Sequence, residues 1–232
     1  MNPRVLDLFC GAGGASAGYA RAGYDVVGVD IAPQPRYPFA FVHADALEYL
    51  AAHGHEYDAI HASPPCQGYS IMAHATGRLA PRLIPETRAL LQATGRPYVI
   101  ENVALAAREM QNYLTLCGTM FGLRVRRHRL FEMVPMSYAL LPPCACRHGV
   151  RSGRLVGQML SGKVAPGRTP RLGIYTEADR REAIGVPWMT TMEARQAIPP
   201  AYTEWVGGQI MRSEDAESIP MAGTAQGMSG RR

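Results

Sequence analysis

A chain of 232 residues is long enough for one large domain, or for one domain with a modest insertion. With 47% hydrophobic and 19% charged residues it can fill a core, which excludes a chain disordered throughout, and no apolar run reaches the roughly 18 residues of a membrane span. The net charge of +5 is unevenly spread: residues 124–181 hold 12 Lys and Arg against 3 acidic residues, and the remainder holds 12 against 16. Eleven of those 12 are Arg, whose planar fork suits phosphates and base edges, so the segment is the expected footprint of a polyanion partner. Five cysteines, an odd number, argue against a disulfide framework and turn attention to chemistry or metal binding. The first residues run straight into Arg4-Val5-Leu6-Asp7 with no charged-then-apolar leader, so a cytoplasmic location is expected.

In chain order, Arg4–Leu8 is a short apolar strand. A turn rich in Gly and Ala follows (Cys10-Gly11-Ala12-Gly13-Gly14), then a helix over 15–22. Strands are expected at 25–29, ending at Asp30; at 39–42, before Asp45; and at 57–62, before Ser63-Pro64-Pro65-Cys66. A helix over Ile84–Thr94 leads to a strand at 98–100 that closes on Glu101-Asn102. Strands alternating with helices give an α/β fold with a mostly parallel sheet, whose ligands bind at the carboxyl ends of the strands. Asp7, Asp30, Asp45, Cys66 and Glu101 all fall at or just past such ends, so one rim is expected to gather them. Residues 1–132 form this core, and 133–191, rich in Pro, Gly and Arg without a sustained period, are read as a small irregular basic region. Residues 192–212 regain apolar character and are expected to pack back on the core, and 213–232 form a tail with little to bury.

Four segments carry chemistry. Asp7-Leu8-Phe9-Cys10-Gly11-Ala12-Gly13-Gly14 lets backbone amides approach a ligand at a helix start, and Asp30 suits a ribose diol. By itself this segment fits a dinucleotide site or a plain tight turn. Ser63-Pro64-Pro65-Cys66-Gln67-Gly68 presents a thiol on a rigid loop that has lost two backbone donors. Glu101-Asn102-Val103 places an acid at the end of an apolar strand. In Arg124-Val125-Arg126-Arg127-His128-Arg129-Leu130-Phe131, alternation sets Arg127 and Arg129 on one side of an extended segment.

In their order and spacing these four segments resemble the DNA cytosine-5 methyltransferases, in the compact form of a phage-type or orphan member, over about residues 4–131 with a weaker echo at 193–211. The resemblance implies a Rossmann-like methyltransferase fold and S-adenosylmethionine as cofactor. It implies that Phe9 stacks on the adenine, Asp30 takes the ribose hydroxyls and Asp45 bonds the adenine amino group, with Asp7, Gly11, Gly13, Gly14 and Pro64 completing the cofactor site. It makes Cys66 the nucleophile, Glu101 the acid at the ring nitrogen, and Arg127 and Arg129 the clamp on the nucleotide, with Pro65, Gln67 and Asn102 beside the substrate. Thiolate addition at carbon 6 makes carbon 5 of cytosine nucleophilic, and a carboxylic acid at N3 absorbs the developing charge. The target base has to leave the duplex at a cost of a few kcal/mol. Double-stranded DNA is the implied partner, and a restriction endonuclease is a candidate companion.

Two departures from the family pattern stand out. Only about 60 residues separate the arginine segment from the C-terminal return, less than the recognition domain of larger members, and the family's C-terminal Gly-Asn element has Gly207-Gly208-Gln209 as its nearest match. Cys144-x-Cys146-x-His148 offers zinc ligands, with Cys117 as a fourth if the fold brings it near, but the spacing is not that of a zinc finger and no metal is expected. The rival readings are a tRNA cytosine-5 methyltransferase, whose marker Cys-Phe-Thr element is missing, an unrelated Rossmann oxidoreductase, and a catalytically inactive DNA-binding relative.

Overall fold

The computed structural model describes residues 1–69, 81–136, 141–146 and 176–217. Seven strands form one sheet: β1 (Arg4–Leu8), β2 (Asp25–Asp30), β3 (Ala40–His43), β4 (Ala59–Ala62), β5 (Tyr98–Asn102), β6 (Tyr113–Leu116) and β7 (Arg129–Val134), in the order β3-β2-β1-β4-β5-β7-β6. β1 to β5 pair in parallel, and β7 lies antiparallel between β5 and β6. This is a Rossmann-like α/β sheet. The described helices are α1 (Gly14–Arg21), α2 (Ala46–His53), α3 (Ile84–Thr94), α4 (Glu177–Ile184), α5 (Thr191–Gln196) and α6 (Pro200–Glu217).

β4 and β5 are buried along their whole length, as parallel strands covered on both faces must be. Period-two alternation divides each strand between two cores. Leu6, Leu8, Ile60 and Ile100 face Leu50 of α2 and Leu91 of α3. Val5, Val99 and Phe131 face Tyr19 of α1 and Tyr202 and Val206 of α6. α1 and α6 approach closely because Gly18 has no side chain: a methyl there would run into Thr203 Oγ1 and the Pro200 carbonyl oxygen. Thr203 Oγ1 also donates to the Ala15 carbonyl at 2.8 Å. Arg88 of α3 grips Glu132 of β7 in a buried two-pronged pair at 2.6 and 2.7 Å, while Glu132 also accepts from the Gln111 amide at 2.7 Å.

The sequence reading placed β1 to β5, α1 and α3 to within a few residues, and the structure differs from it elsewhere. α2 escaped it, since only Ala46 and Leu50 of its eight residues are buried. The short hairpin β6–β7 escaped it too. α4 breaks the region read as irregular: its residues are mostly charged and only Ala183 and Ile184 are buried, so no apolar stripe marks it. α6 runs to Glu217, past the expected end of the packed segment at 212. Among the described residues, no helix is long and apolar enough to cross a membrane.

Candidate active site

The strand order reverses direction at β1, where the loops after β1 and β4 diverge and open the crevice that parallel sheets use for ligands. A cavity of about 500 Å³ lies there. Its walls include Asp7, Phe9, Gly11 and Gly14 after β1, Asp30 after β2, Pro64 to Gln67 after β4, and Glu101 and Asn102 of β5. Arg129 of β7 closes the far side.

The glycine turn is shaped for close approach. Phe9 and Gly11 both have positive φ, 58° and 50°, the first a strained setting for an aromatic residue. The space where a Cβ of Gly11 would sit is open. Asp30 pins the turn from β2: its Oδ2 accepts from the Gly11 amide and its Oδ1 from the Ala32 amide, each at 2.9 Å. Asp7 is fully buried on the cavity floor. Its Oδ2 accepts a short hydrogen bond from Ser16, which also contacts the Tyr37 hydroxyl at 2.8 Å, while Oδ1 has no partner among the described residues. Burial raises the Asp7 carboxyl to about 7, against the opposing pull of Ser16.

The thiol loop turns through a 3-10 segment, Cys66–Tyr69, that leaves Cys66 exposed. Asn102 fixes this loop to β5: its side-chain amide donates to the Pro64 carbonyl at 2.9 Å, and its oxygen accepts from the Val103 amide at 2.9 Å. Beyond the loop, the Tyr69 hydroxyl donates to Glu109 at 2.7 Å, and Arg82 bonds both Glu109 and the Gly68 carbonyl at 3.3 Å.

Glu101 is 5% exposed. Arg129 Nε lies 3.0 Å from its Oε1, close enough for ion pairing, yet off the line of a hydrogen bond, so that oxygen lacks a bonded partner among the described residues. Burial raises the Glu101 carboxyl above its ordinary value, opposed by Arg129 and Arg127 and by a hydrogen bond with Ser63. Arg127 is half-buried, and its proton is loosened first by desolvation of the guanidinium and then by Arg129, down to about 9, so it stays cationic at neutral pH. Its guanidinium donates to the Arg195 carbonyl at 2.7 Å, and it is near enough to Glu101 and Cys66 to feel both charges.

Of the expected residues, the structure therefore brings together Asp7, Phe9, Gly11, Gly14, Asp30, Pro64, Pro65, Cys66, Gln67, Glu101, Asn102 and Arg129 around one cavity. Three stand apart from it. Gly13 is the left-handed N-cap of α1, packed against Tyr37. Asp45 caps α2, its Oδ1 accepting from the Leu47 and Glu48 amides at 2.9 and 3.1 Å, because a short acidic side chain before a helix satisfies the orphan donors of its first turn. Arg127 sits behind the rim rather than in it. Gly207 packs against Ala22 and the rings of Tyr19 and Tyr24, so the Gly-Gly-Gln element serves helix packing. His148 lies outside the described residues, as do 147–175 of the basic segment.

Two features went unread in the sequence. The segment from Met189 to Ile198 forms the remaining wall. It is clasped by Arg36, which bonds both Glu193 oxygens at 2.6 to 3.1 Å, and by Trp188, whose indole N–H donates to the Ala12 carbonyl at 2.9 Å. The Thr190-x-x-Glu193 capping box is the signal that marks this turn. Behind Glu101 runs a buried polar chain: Tyr19 hydroxyl to His61 Nδ1 at 2.9 Å, and His61 Nε2 to Ser63 Oγ at 2.8 Å. Burial lowers His61 to about 3 and keeps it neutral. A lone histidine in an apolar strand gives no sequence sign of this role.

The model of the C-5 cytosine-specific DNA methylase family matches residues 3–115, from just before β1 into β6. Over this stretch, a little under half of the chain, the sequence is similar to that family. Cys66 and Glu101 lie inside the matched stretch; Arg127 and Arg129 lie beyond it. No curated protein matches this chain in sequence. Among solved structures it is similar to the S. pombe Dnmt2 methyltransferase, at 18% identity, over 57% of this chain and 49% of that one, with a TM-score of 0.42. It is also similar to a SAM-dependent methyltransferase from Agrobacterium tumefaciens (20% identity, 56% and 55%, TM-score 0.34). A third is the magnesium protoporphyrin IX methyltransferase of Synechocystis PCC 6803 with bound SAM (16%, 57% and 70%, 0.35). The chain spans about half the length of the first two.

Proposed function

We propose that this protein transfers a methyl group from S-adenosylmethionine to carbon 5 of cytosine in double-stranded DNA, through a covalent bond between Cys66 and the base. The observation that carries the reading is the meeting, around one cavity, of an exposed thiol, a buried carboxyl whose pKa is raised, and a guanidinium.

The residues present fit the cofactor. Asp7 offers a buried carboxylate oxygen without a partner, a place for a cationic amino group. Asp30 at the end of β2 suits the ribose diol, Phe9 offers a ring for the adenine, and the open space at Gly11 admits close approach. When bound, S-adenosylmethionine supplies an electrophilic methyl group.

The chain's own residues supply the rest. The Cys66 thiolate adds to carbon 6 of the flipped-out base, forming the C–S bond, and the electron pair of the 5,6 double bond becomes available at carbon 5. Glu101, whose protonated form burial favours, donates its proton to N3 as this pair moves and becomes a carboxylate that Arg129 and Arg127 stabilise. Carbon 5 then takes the methyl group. A base removes the carbon-5 proton, the 5,6 double bond re-forms as the C–S bond breaks to return the thiolate, and N3 gives its proton back to Glu101. Asn102 holds the thiol loop at its distance from Glu101 throughout.

The basic segment 124–181 supports a polyanionic substrate. The test is transfer of labelled methyl from S-adenosylmethionine to unmethylated genomic DNA and, in parallel, to tRNA, followed by digestion to nucleosides. 5-Methyldeoxycytidine is the expected product. Label in tRNA alone moves the substrate to RNA, and label in neither supports an inactive relative.

A further inference from the structure

We propose that Cys117, His128, Cys144 and Cys146 form a structural zinc site that ties the arginine-bearing strand to the chain beyond it. The four side chains come from three places: Cys117 just after β6, His128 just before β7, and the Cys144–Cys146 loop. All four ligand atoms lie within 4.8 Å of one another.

The donors and the sulfur–nitrogen distances match a tetrahedral thiolate-rich site. With Zn–S of about 2.3 Å and Zn–N of about 2.0–2.1 Å, a tetrahedron sets sulfur and nitrogen about 3.5 Å apart and sulfurs about 3.8 Å apart. His128 Nε2 lies 3.5 Å from Cys144 Sγ and 3.3 Å from Cys146 Sγ. The sulfurs of Cys144 and Cys146 are 2.8 Å apart, longer than the roughly 2.05 Å of a disulfide, so zinc requires them to open by about 1 Å. Cys117 and Cys146 are buried, and Cys144 and His128 half-buried. Four protein ligands leave no open position, which is the arrangement of a structural rather than a catalytic metal. The cluster also has outer support: the Thr119 hydroxyl contacts Cys117 Sγ at 3.4 Å and Cys144 Sγ at 3.6 Å, and accepts from the Ala145 amide at 3.2 Å.

The position gives the site its purpose. His128 lies between Arg127 and Arg129, and alternation along an extended chain turns its ring away from theirs. A metal on that side would hold the backbone of the two arginines without touching the cavity. It would also anchor the chain at Cys144–Cys146, within the basic segment. Loading replaces the three thiol protons with Zn²⁺ and leaves a neutral imidazole, so binding releases protons and is weakened by acid.

The experiment is metal analysis of the full chain purified under reducing conditions, with Co²⁺ replacement read by absorption. We expect one zinc per chain, and for cobalt the intense bands of tetrahedral coordination with sulfur-to-metal charge transfer. Cys146→Ser and His128→Gln should lose the metal, while Cys66→Ser, outside the cluster, should keep it. If the variants do not fold, the wild-type cobalt titration decides alone. A chain that takes up neither zinc nor cobalt with its thiols reduced would overturn the site, as would a metal-free Cys144–Cys146 disulfide found by mass spectrometry.

Discussion

Cofactor affinity should depend on pH through Asp7. Its carboxyl is fully buried and raised to about 7, so about half of the free protein carries it neutral at pH 7. A cationic amino group docking on the partnerless Oδ1 needs the carboxylate form. At pH 6 only about a tenth is ionised, which lowers affinity about tenfold from its plateau, or about 1.4 kcal/mol. Affinity should therefore strengthen as pH rises from about 5.5 through 7 and level off before about 8, where a free α-amino group loses its own proton. The folding sign runs the other way. Between about 4 and 7 the folded chain keeps a proton on Asp7 that the unfolded chain has released, so the contribution of this residue to stability falls as pH rises. Isothermal titration with S-adenosylmethionine in buffers of different ionisation enthalpy measures both affinity and proton release. Asp7→Asn should bind more weakly and lose the slope. A wild-type affinity that is flat from pH 5.5 to 7.5, or an unchanged slope in Asp7→Asn, would refute the reasoning.

Three further outcomes are expected. Glu101→Gln keeps the shape but removes the acidic proton, and methyl transfer should fall by about two or more orders of magnitude in single-turnover assays; a near-normal rate would make Glu101 a packing residue. Gly18→Ala gains helix propensity but forces a methyl into Thr203 and the Pro200 carbonyl, so a net loss of about 1–2 kcal/mol in urea unfolding is expected, and no loss would mean α1 and α6 have room to separate. Reversing charge at Arg147, Arg151, Arg154, Arg168 and Arg171 should weaken DNA binding and flatten its dependence on salt; an unchanged slope would place the DNA face elsewhere.

Much of the sheet was legible because its strands obey local rules. Apolar runs ending in Asp7, Asp30, Cys66 and Glu101 are what buried parallel strands with a ligand rim require, and those four residues do share the cavity. Asp45 shows the limit of the same rule. An acid between an apolar run and a helix serves equally as a strand-end ligand or an N-cap, and nothing in the sequence signals that Oδ1 of Asp45 accepts from the Leu47 and Glu48 amides. The wall from Met189 to Ile198 was hidden because its clasp, Arg36 to Glu193, joins residues that pattern reasoning has no means to connect. The cysteine cluster was half legible: Cys117, Cys144 and Cys146 were visible as thiols, but the histidine beside them is His128, embedded in a motif read for its arginines.

The most direct test of the central claim is covalent capture on DNA containing 5-fluorocytosine. Fluorine at carbon 5 leaves no proton to remove, so an adduct formed through Cys66 cannot resolve after methyl transfer. In the presence of S-adenosylmethionine, the wild-type chain should form a denaturant-resistant complex, with the modified peptide mapping to Cys66. Cys66→Ala should bind the cofactor and form no complex. An adduct on another residue, or 5-methylcytosine produced by Cys66→Ala, would contradict the account.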